Sequence, residues 1–335
     1  MPRTDVAFDR RVTSHMSAGM SAYVRKLAAL LPRVAPDLSI AFVGDGDNFD
    51  LAEHVALPAA LARLRPRLAH VPTPFAPLVI PVPYVLTIHD LIDLHYPEFA
   101  KRRVAPYYRL VVGRAARGAR AVITDDAATV DDLERFLAVD PARVRVIPLG
   151  VDLPDPLPPP FAHDRPYFLF VGNHRPHKNL LTLVRAWAGL PEALAADLFL
   201  TGDDDVGEEF SRHGRAGGTI VFLGQPAEPD LIAYYRGAAA YVHPALREGF
   251  GLPMLEAMRA GVPVVAAHGA LPRVLAPHAY GFDAGDAEEL RALLERALAD
   301  PPTFRRGAEA ARAATGSLTW EHTARATAAV YREFL

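Results

Sequence analysis

Cysteine is absent from the 335-residue chain. That excludes disulfide frameworks, thiolate zinc sites and cysteine nucleophiles, and leaves the redox compartment open. Lysine is nearly absent: of 36 basic residues only Lys26, Lys101 and Lys178 are not arginine, so each surviving lysine hints at a specific need. Charge of one sign does not accumulate over the whole chain, and a net charge of −3 argues against a nucleic-acid partner. The first twelve residues carry charges where a signal peptide needs an apolar core, so a cytoplasmic protein is expected. The one uncharged stretch long enough to suggest a membrane span, residues 71–88, holds five prolines. Those would leave backbone groups unsatisfied in lipid, so it is not read as a span.

Half of the residues are hydrophobic and 22% are charged, the balance of a packed globular protein rather than a disordered one. The length suits two domains of about 150 residues. Their charges differ: residues 1–150 hold 19 basic and 16 acidic side chains, the remainder 17 and 23, so the first half is the better match for an acidic partner. A run of prolines at 154, 156, 158, 159 and 160 marks a stiff segment over 154–166, read as an interdomain linker.

On both sides of that segment short apolar runs alternate with helical periodicity. Strands are expected at 5–8, 39–43, 84–88, 121–124 and 144–147, then at 167–171, 198–201, 220–223, 239–243 and 262–266. Helices are expected near 20–31, 101–117, 180–190 and 253–259. Alternation of this kind implies parallel sheets wound by right-handed crossovers, hence an α/β chain of two Rossmann-like domains. Asp286 and Glu289 are spaced as a capping box before an apolar helical run.

In open parallel sheets ligands bind beyond the carboxyl ends of strands, so the residues just after each strand are the candidates. After the strand at 239–243 comes 248–265, EGFGLPMLEAMRAGVPVV. Its glycines let backbone approach a ligand, Pro253 suits a first helical turn, and the helix start favours an anion such as a phosphate. Glu248 and Glu256 can then face one crevice; on spacing alone, a solvated Glu248 and a dipole-serving Glu256 fit as well. After the strand at 167–171, the loop GNHRPHKN carries Arg175 and Lys178, cations suited to a diphosphate leaving group. After the strand at 84–88, His89 could titrate near neutrality or hydrogen-bond a sugar hydroxyl. Between the first strand and its helix, Gly19 could form a tight turn that brings amides to a phosphate. Asp203-Asp204-Asp205 contains a metal-binding Asp-x-Asp spacing, but a solvated helix start is the reading adopted. Gly44-Asp45-Gly46 lacks the third glycine of a dinucleotide fingerprint. His174 and His177 have no matching third ligand, so no metal is predicted.

The 248–265 segment resembles the signature of family 4 glycosyltransferases, two glutamates separated by seven residues, and that family has the GT-B fold. The resemblance extends to TIHDL at 87–91, VRVIPLGVD at 144–152, the Lys178 loop and the closing stretch 317–331. It implies two Rossmann-like domains facing across a cleft: 1–153 for the acceptor, 154–166 as linker, 167–317 for a nucleotide-sugar donor, and a helix over 318–335 packing back on the first. It assigns Glu248 to the donor sugar, Glu256 to the nucleotide ribose, Lys178 to the diphosphate and His89 to the reacting sugar. His89, Lys178 and Glu248 are thus the catalytic candidates. Gly19, Arg175, Lys178, Glu248, Gly249, Phe250, Gly251, Leu252 and Glu256 are the donor-binding ones. The chain departs from the family at Ala18, where a glycine is usual, at Asn173, where many relatives have arginine, and at Arg273, where glutamate is frequent.

The implied function is a retaining transfer, without metal or other cofactor, of a hexose from GDP-mannose or a UDP-hexose to a glycan or lipid-linked acceptor. Closure would bring His89 and Gly19 over the anomeric carbon. A non-catalytic nucleotide-sugar-binding protein, a phosphorylase or an epimerase are the alternatives. Residues 101–120 carry seven positive charges and no negative one, interleaved with Tyr107, Tyr108, Val111 and Val112. Such a helix could rest on anionic lipid at the inner face of the membrane.

Overall fold

The computed structural model describes residues 4–12, 16–44, 53–203 and 218–335. Its contacts divide the chain into one unit of Met1–Gly150 with Leu318–Leu335 and a second of Val151–Ser317.

The first unit is built on six parallel strands: β1 Val6–Asp9, β2 Ile40–Val43, β3 Leu68–Val71, β4 Tyr84–Thr87, β5 Ala121–Thr124 and β6 Val144–Val146. They lie in the order β2-β1-β3-β4-β5-β6. β3 and the preceding helix Glu53–Leu64 have no counterpart among the predicted elements. That helix buries Leu57 and Leu61 against Ala7 and Ala69.

The helix Ala18–Val34 packs beside the last helix, Trp320–Arg332. Tyr23 lies against Trp320 with ring centroids 6.4 Å apart. The Tyr331 hydroxyl meets Nδ1 of the buried His70 at 2.6 Å. Thr323 Oγ1 donates to the Pro148 carbonyl at 2.9 Å. At Gly150 the backbones touch so closely that a β-carbon would lie 1.9 Å from the Thr319 carbonyl carbon. The last helix is therefore part of the first unit's core.

The predicted helix over 101–117 is interrupted. Helical turns at Val104–Tyr107 and Gly113–Gly118 flank a π-helical turn at Tyr108–Val112, and Arg120 lies outside them. Val112, Ala115 and Ala116 face the core. Lys101, Arg102, Arg103, Arg109, Arg114, Arg117 and Arg120 are exposed together with Leu110, at 72%. Among the described residues no helix is long and apolar enough to cross a membrane.

The second unit repeats the architecture with β7 Tyr167–Phe170, β8 Asp197–Leu200, β9 Ile220–Phe222, β10 Ala240–His243, β11 Val264–Ala267 and β12 Tyr280–Phe282. All are parallel, in the order β12-β11-β10-β7-β8-β9. The chain winds outward from β7 through β8 and β9, then in the other direction from β10. The topological switch point thus lies between β7 and β10, where an open sheet leaves a crevice at its carboxyl edge. The proline-rich stretch runs along this unit: Phe161 N donates to the Ala233 carbonyl at 2.9 Å, and Arg236 donates to the Pro158 carbonyl. The expected capping box is half formed. Asp286 accepts from Glu289 N at 2.9 Å, but the Glu289 carboxylate reaches the Asp283 amide instead of that of Asp286.

Candidate active site

Two loops leave the switch point and are tied to each other. After β7 the chain makes a single 3-10 turn, Pro176–Lys178, followed by Asn179 at φ 56 in the left-handed region. The Asn179 side chain donates to the carbonyls of Pro244, 3.0 Å, and Ala284, 2.8 Å, and Leu246 N donates to the His177 carbonyl at 2.8 Å. These bonds carry Lys178 inward. Its ammonium, buried, donates to Oε2 of Glu248 in the loop after β10. Oε2 also receives Nε2 of His243 at 3.0 Å, and Nδ1 of His243 meets the Tyr241 hydroxyl at 2.8 Å. Oε1 of Glu248 takes no hydrogen bond among the described residues, and the side chain is 17% exposed.

Burial works against a charged Glu248. The Lys178 charge and the hydrogen bonds from His243 and Lys178 outweigh it and hold the carboxyl well below the ordinary range. Paired with the Lys178 ammonium, the group is held in its ionised form, an acceptor and not a proton donor. Burial, then the adjacent Lys178 charge, draws His177 down to about 4.

The helix Leu252–Ala260 follows. Gly251 starts it at φ 68, with no side-chain cap, and Pro253 sits in its first turn. Gly249 and Phe250 are buried beneath this start and Leu252 is half-buried. One turn on, Glu256 Oε2 accepts from the Tyr235 hydroxyl at 3.1 Å. Its carboxyl is raised by burial, against that hydrogen bond. Both glutamates act on the buried Tyr241 phenol, whose ionisation burial opposes first and their charges second. Arg175 lies exposed at the start of the 3-10 turn, and its amide donates to Asn173 at 3.3 Å.

In the first unit His89 follows β4 and is buried. Its Nδ1 pairs with Asp125 Oδ2 at 2.6 Å beyond the end of β5, and the Tyr23 ring stands edge-on at 4.7 Å. Burial disfavours the imidazolium, but the charge and hydrogen bond of Asp125, with smaller contributions from Asp90 and the Pro72 carbonyl, hold the ring above its ordinary value. Nε2 is shut off from solvent and, among the described residues, has no partner in hydrogen-bond geometry. Asp90 accepts from Ile92 N at 3.1 Å and so fixes the loop. Gly19 does not form the expected tight turn. It lies inside the first turn of its helix, because the Ser17 side chain supplies the cap by accepting from Met20 N at 3.2 Å.

His243, Tyr241, Asn179 and Asp125 were not among the sequence candidates. Only the i, i+2 placement of Tyr241 and His243 on one strand face, five residues before Glu248, offered a signal. His174 binds the Thr201 carbonyl through Nε2 at 2.7 Å. Among the described residues no group of three His, Cys, Asp or Glu side chains could hold a metal ion. Asp204 and Asp205 of the acidic run, and Asp45 and Gly46 of the glycine pair, lie outside the described residues.

Comparison with known proteins identifies the family of the chain. Residues 157–314 match the model described as glycosyl transferases group 1, and residues 19–154 the model described as glycosyltransferase family 4. The chain is 27% identical over 266 residues to O-antigen chain mannosyltransferase B of Escherichia coli, covering 74% of this chain and 70% of that protein. It is 30% identical over 276 residues to a D-inositol 3-phosphate glycosyltransferase of Segniliparus rotundus, covering 76% and 62%. Among solved structures it resembles sucrose-phosphate synthase from Thermosynechococcus elongatus, with TM-score 0.77, 22% identity and 99% of each chain covered.

Proposed function

The chain belongs to the group 1, family 4 glycosyltransferases, and on that premise we propose that it moves a hexose from a sugar nucleotide to a glycan or lipid-linked acceptor. GDP-mannose is the favoured donor, ahead of a UDP-hexose, and the transfer retains configuration and needs no metal. The observation that carries this reading is the Lys178–Glu248–His243 cluster at the switch point of the second sheet. It puts an ionised carboxylate with one unoccupied oxygen beside an ammonium with donors to spare, next to an uncapped helix start. A sugar hydroxyl suits the first, and a diphosphate the second and third. The preference for mannose rests on the relatives named as mannosyltransferases.

Charge that develops on the departing diphosphate would be met by Lys178, with Arg175 and the amides at the start of helix Leu252–Ala260 beside it. The resemblance gives His89 of the first unit to the reacting sugar. The exposed face of Lys101, Arg102, Arg103, Arg109, Leu110 and Arg114 supports peripheral contact with anionic lipid at the inner membrane face. Sedimentation with anionic vesicles at low salt tests it, and protein that stays in the supernatant refutes it.

The deciding experiment is calorimetric titration with GDP, UDP and their common hexose conjugates after chelator treatment, repeated with Lys178→Ala. One nucleotide family should bind, more weakly to the variant, and turnover by the variant should fall about a hundredfold. Silence across the panel refutes the reading.

A further inference from the structure

Behind Glu248 runs a short chain of buried hydrogen bonds to which the family resemblance assigns no role. Tyr241 and His243 alternate along β10 so that both side chains reach the same face. The Tyr241 hydroxyl lies 2.8 Å from His243 Nδ1 and 3.4 Å from the Val171 carbonyl, and His243 Nε2 lies 3.0 Å from Glu248 Oε2. Tyr241 is fully buried and His243 is 1% exposed.

The hydrogens follow from the acceptors. The ionised carboxylate can only accept, so Nε2 carries a proton. A second proton on Nδ1 would force the phenol to turn its own hydrogen to the Val171 carbonyl, and 3.4 Å is long for an O–H···O bond. The arrangement that satisfies every atom is a neutral imidazole, with Tyr241 donating to Nδ1 and Nε2 donating to Glu248. Burial favours the same neutral form. The groups facing the ring are Glu248 from the following loop, Lys178 and His177 from the turn after β7, Tyr241 from its own strand, and the apolar Phe170 ring of β7 at 6.5 Å.

We propose that His243 and Tyr241 are positioning residues for the donor sugar: they pin Oε2 of Glu248 so that Oε1 alone meets a sugar hydroxyl. The inference rests on the donor-site reading above. Without the His243 bond, Glu248 keeps its tie to Lys178 but is free to turn about it, and the hydroxyl loses an oriented acceptor. The nucleotide half of the ligand is untouched.

The test compares three variants in the full chain, with the transfer assay and nucleotide titration run side by side. His243→Phe keeps the ring but removes the donor. It should lower kcat/KM for the sugar nucleotide about 10- to 100-fold, while the Kd for the free nucleoside diphosphate stays within about twofold. His243→Gln, whose amide nitrogen can take the place of Nε2, should recover most of the loss. Tyr241→Phe removes the donor to Nδ1 and leaves the ring free to turn, so kcat/KM should fall by less than in His243→Phe, again with the nucleoside diphosphate Kd unchanged. An equal loss for nucleotide and sugar nucleotide, no loss in His243→Phe, or no recovery in a folded His243→Gln would overturn the inference. If the wild type binds no nucleotide at all, the donor-site reading itself fails, which the wild-type arm shows by itself.

Discussion

Removing the ammonium from Lys178 isolates what the ion pair contributes to folding. In Lys178→Ala the Glu248 carboxylate stays buried and loses the larger of the two influences that keep it charged. Breaking a buried pair from one side costs about 3–5 kcal/mol. The lower end, about 3 kcal/mol, applies because His243 still donates at 3.0 Å and Glu248 retains some contact with solvent. Urea melts at pH 7 read this directly as a lowered midpoint at unchanged slope. The sign of the pH dependence changes too. In the wild type the depressed carboxyl contributes stability that is present above its unfolded value, about 4.3, and is lost as pH falls through the folded value. In the variant burial dominates and the folded value rises above the unfolded one. The stability gap between the two proteins should therefore begin to narrow as pH falls through that raised value, and keep narrowing below about pH 4.3, where the wild type loses its own contribution. The double variant Lys178→Ala, Glu248→Gln should recover much of the loss, since it buries no lone charge. A single variant within 1 kcal/mol of wild type at pH 7, or a gap that widens in acid, would refute the ion-pair account.

Two further outcomes concern the first unit. Burial, then the charge of His89, draws His70 down to about 3, while an unfolded histidine titrates near 6.5. Between those values only the unfolded chain takes the proton, so stability falls as pH falls. From pH 6.5 to 5 this group alone should remove about 1.6 kcal/mol, a slope that His70→Gln should lack in urea melts at the two pH values. Gly150→Ala would drive a β-carbon into the Thr319 backbone, which cannot rotate away. A loss of about 3 kcal/mol or more is expected, with faster hydrogen exchange concentrated in Trp320–Arg332, and a wild-type melting temperature would contradict the packing.

What could be read from the chain was what is local. Most strands announced themselves as four-residue apolar runs, and 248–265 is contiguous, so its glutamates and glycines were visible together. β3 was not, because His70 interrupts the apolar run inside Leu68–Val71 and Pro72 follows at once. β12 was missed because three residues with a central glycine carry almost no pattern. The π-helical turn in the basic stretch has no signal in spacing, whereas the Ser17 cap that displaced the expected turn at Gly19 had one, a serine directly before the helical run. The site's pairings were the least legible: Lys178 meets Glu248 across 70 positions and His89 meets Asp125 across 36. Sequence reasoning could nominate Lys178, Glu248 and His89 as types of chemistry, but their partners depend on strand order, which brings β7 beside β10 and β4 beside β5.

The same electrostatics bear on how a retaining transfer would run. A double displacement needs a carboxylate nucleophile at the anomeric carbon, and Glu248 is the ionised carboxylate of the switch-point cluster. Its Oε2 is already occupied by an ammonium and an imidazole N–H. Those partners hold Oε2 away from any attack, and in the donor-sugar reading the remaining oxygen, Oε1, meets a sugar hydroxyl and not the anomeric carbon. Glu256 sits one helical turn on and is bound to Tyr235. The arrangement therefore argues for attack from the leaving-group face, with the departing phosphate oxygen taking the acceptor proton and Lys178 stabilising the charge that remains. Glu248→Ala with added azide separates the two routes. If Glu248 forms a glycosyl intermediate, azide entering its vacated place would yield a glycosyl azide of inverted configuration with release of the nucleoside diphosphate. The expected result is a slow variant that azide does not rescue, and an inverted azide product would refute the front-face route.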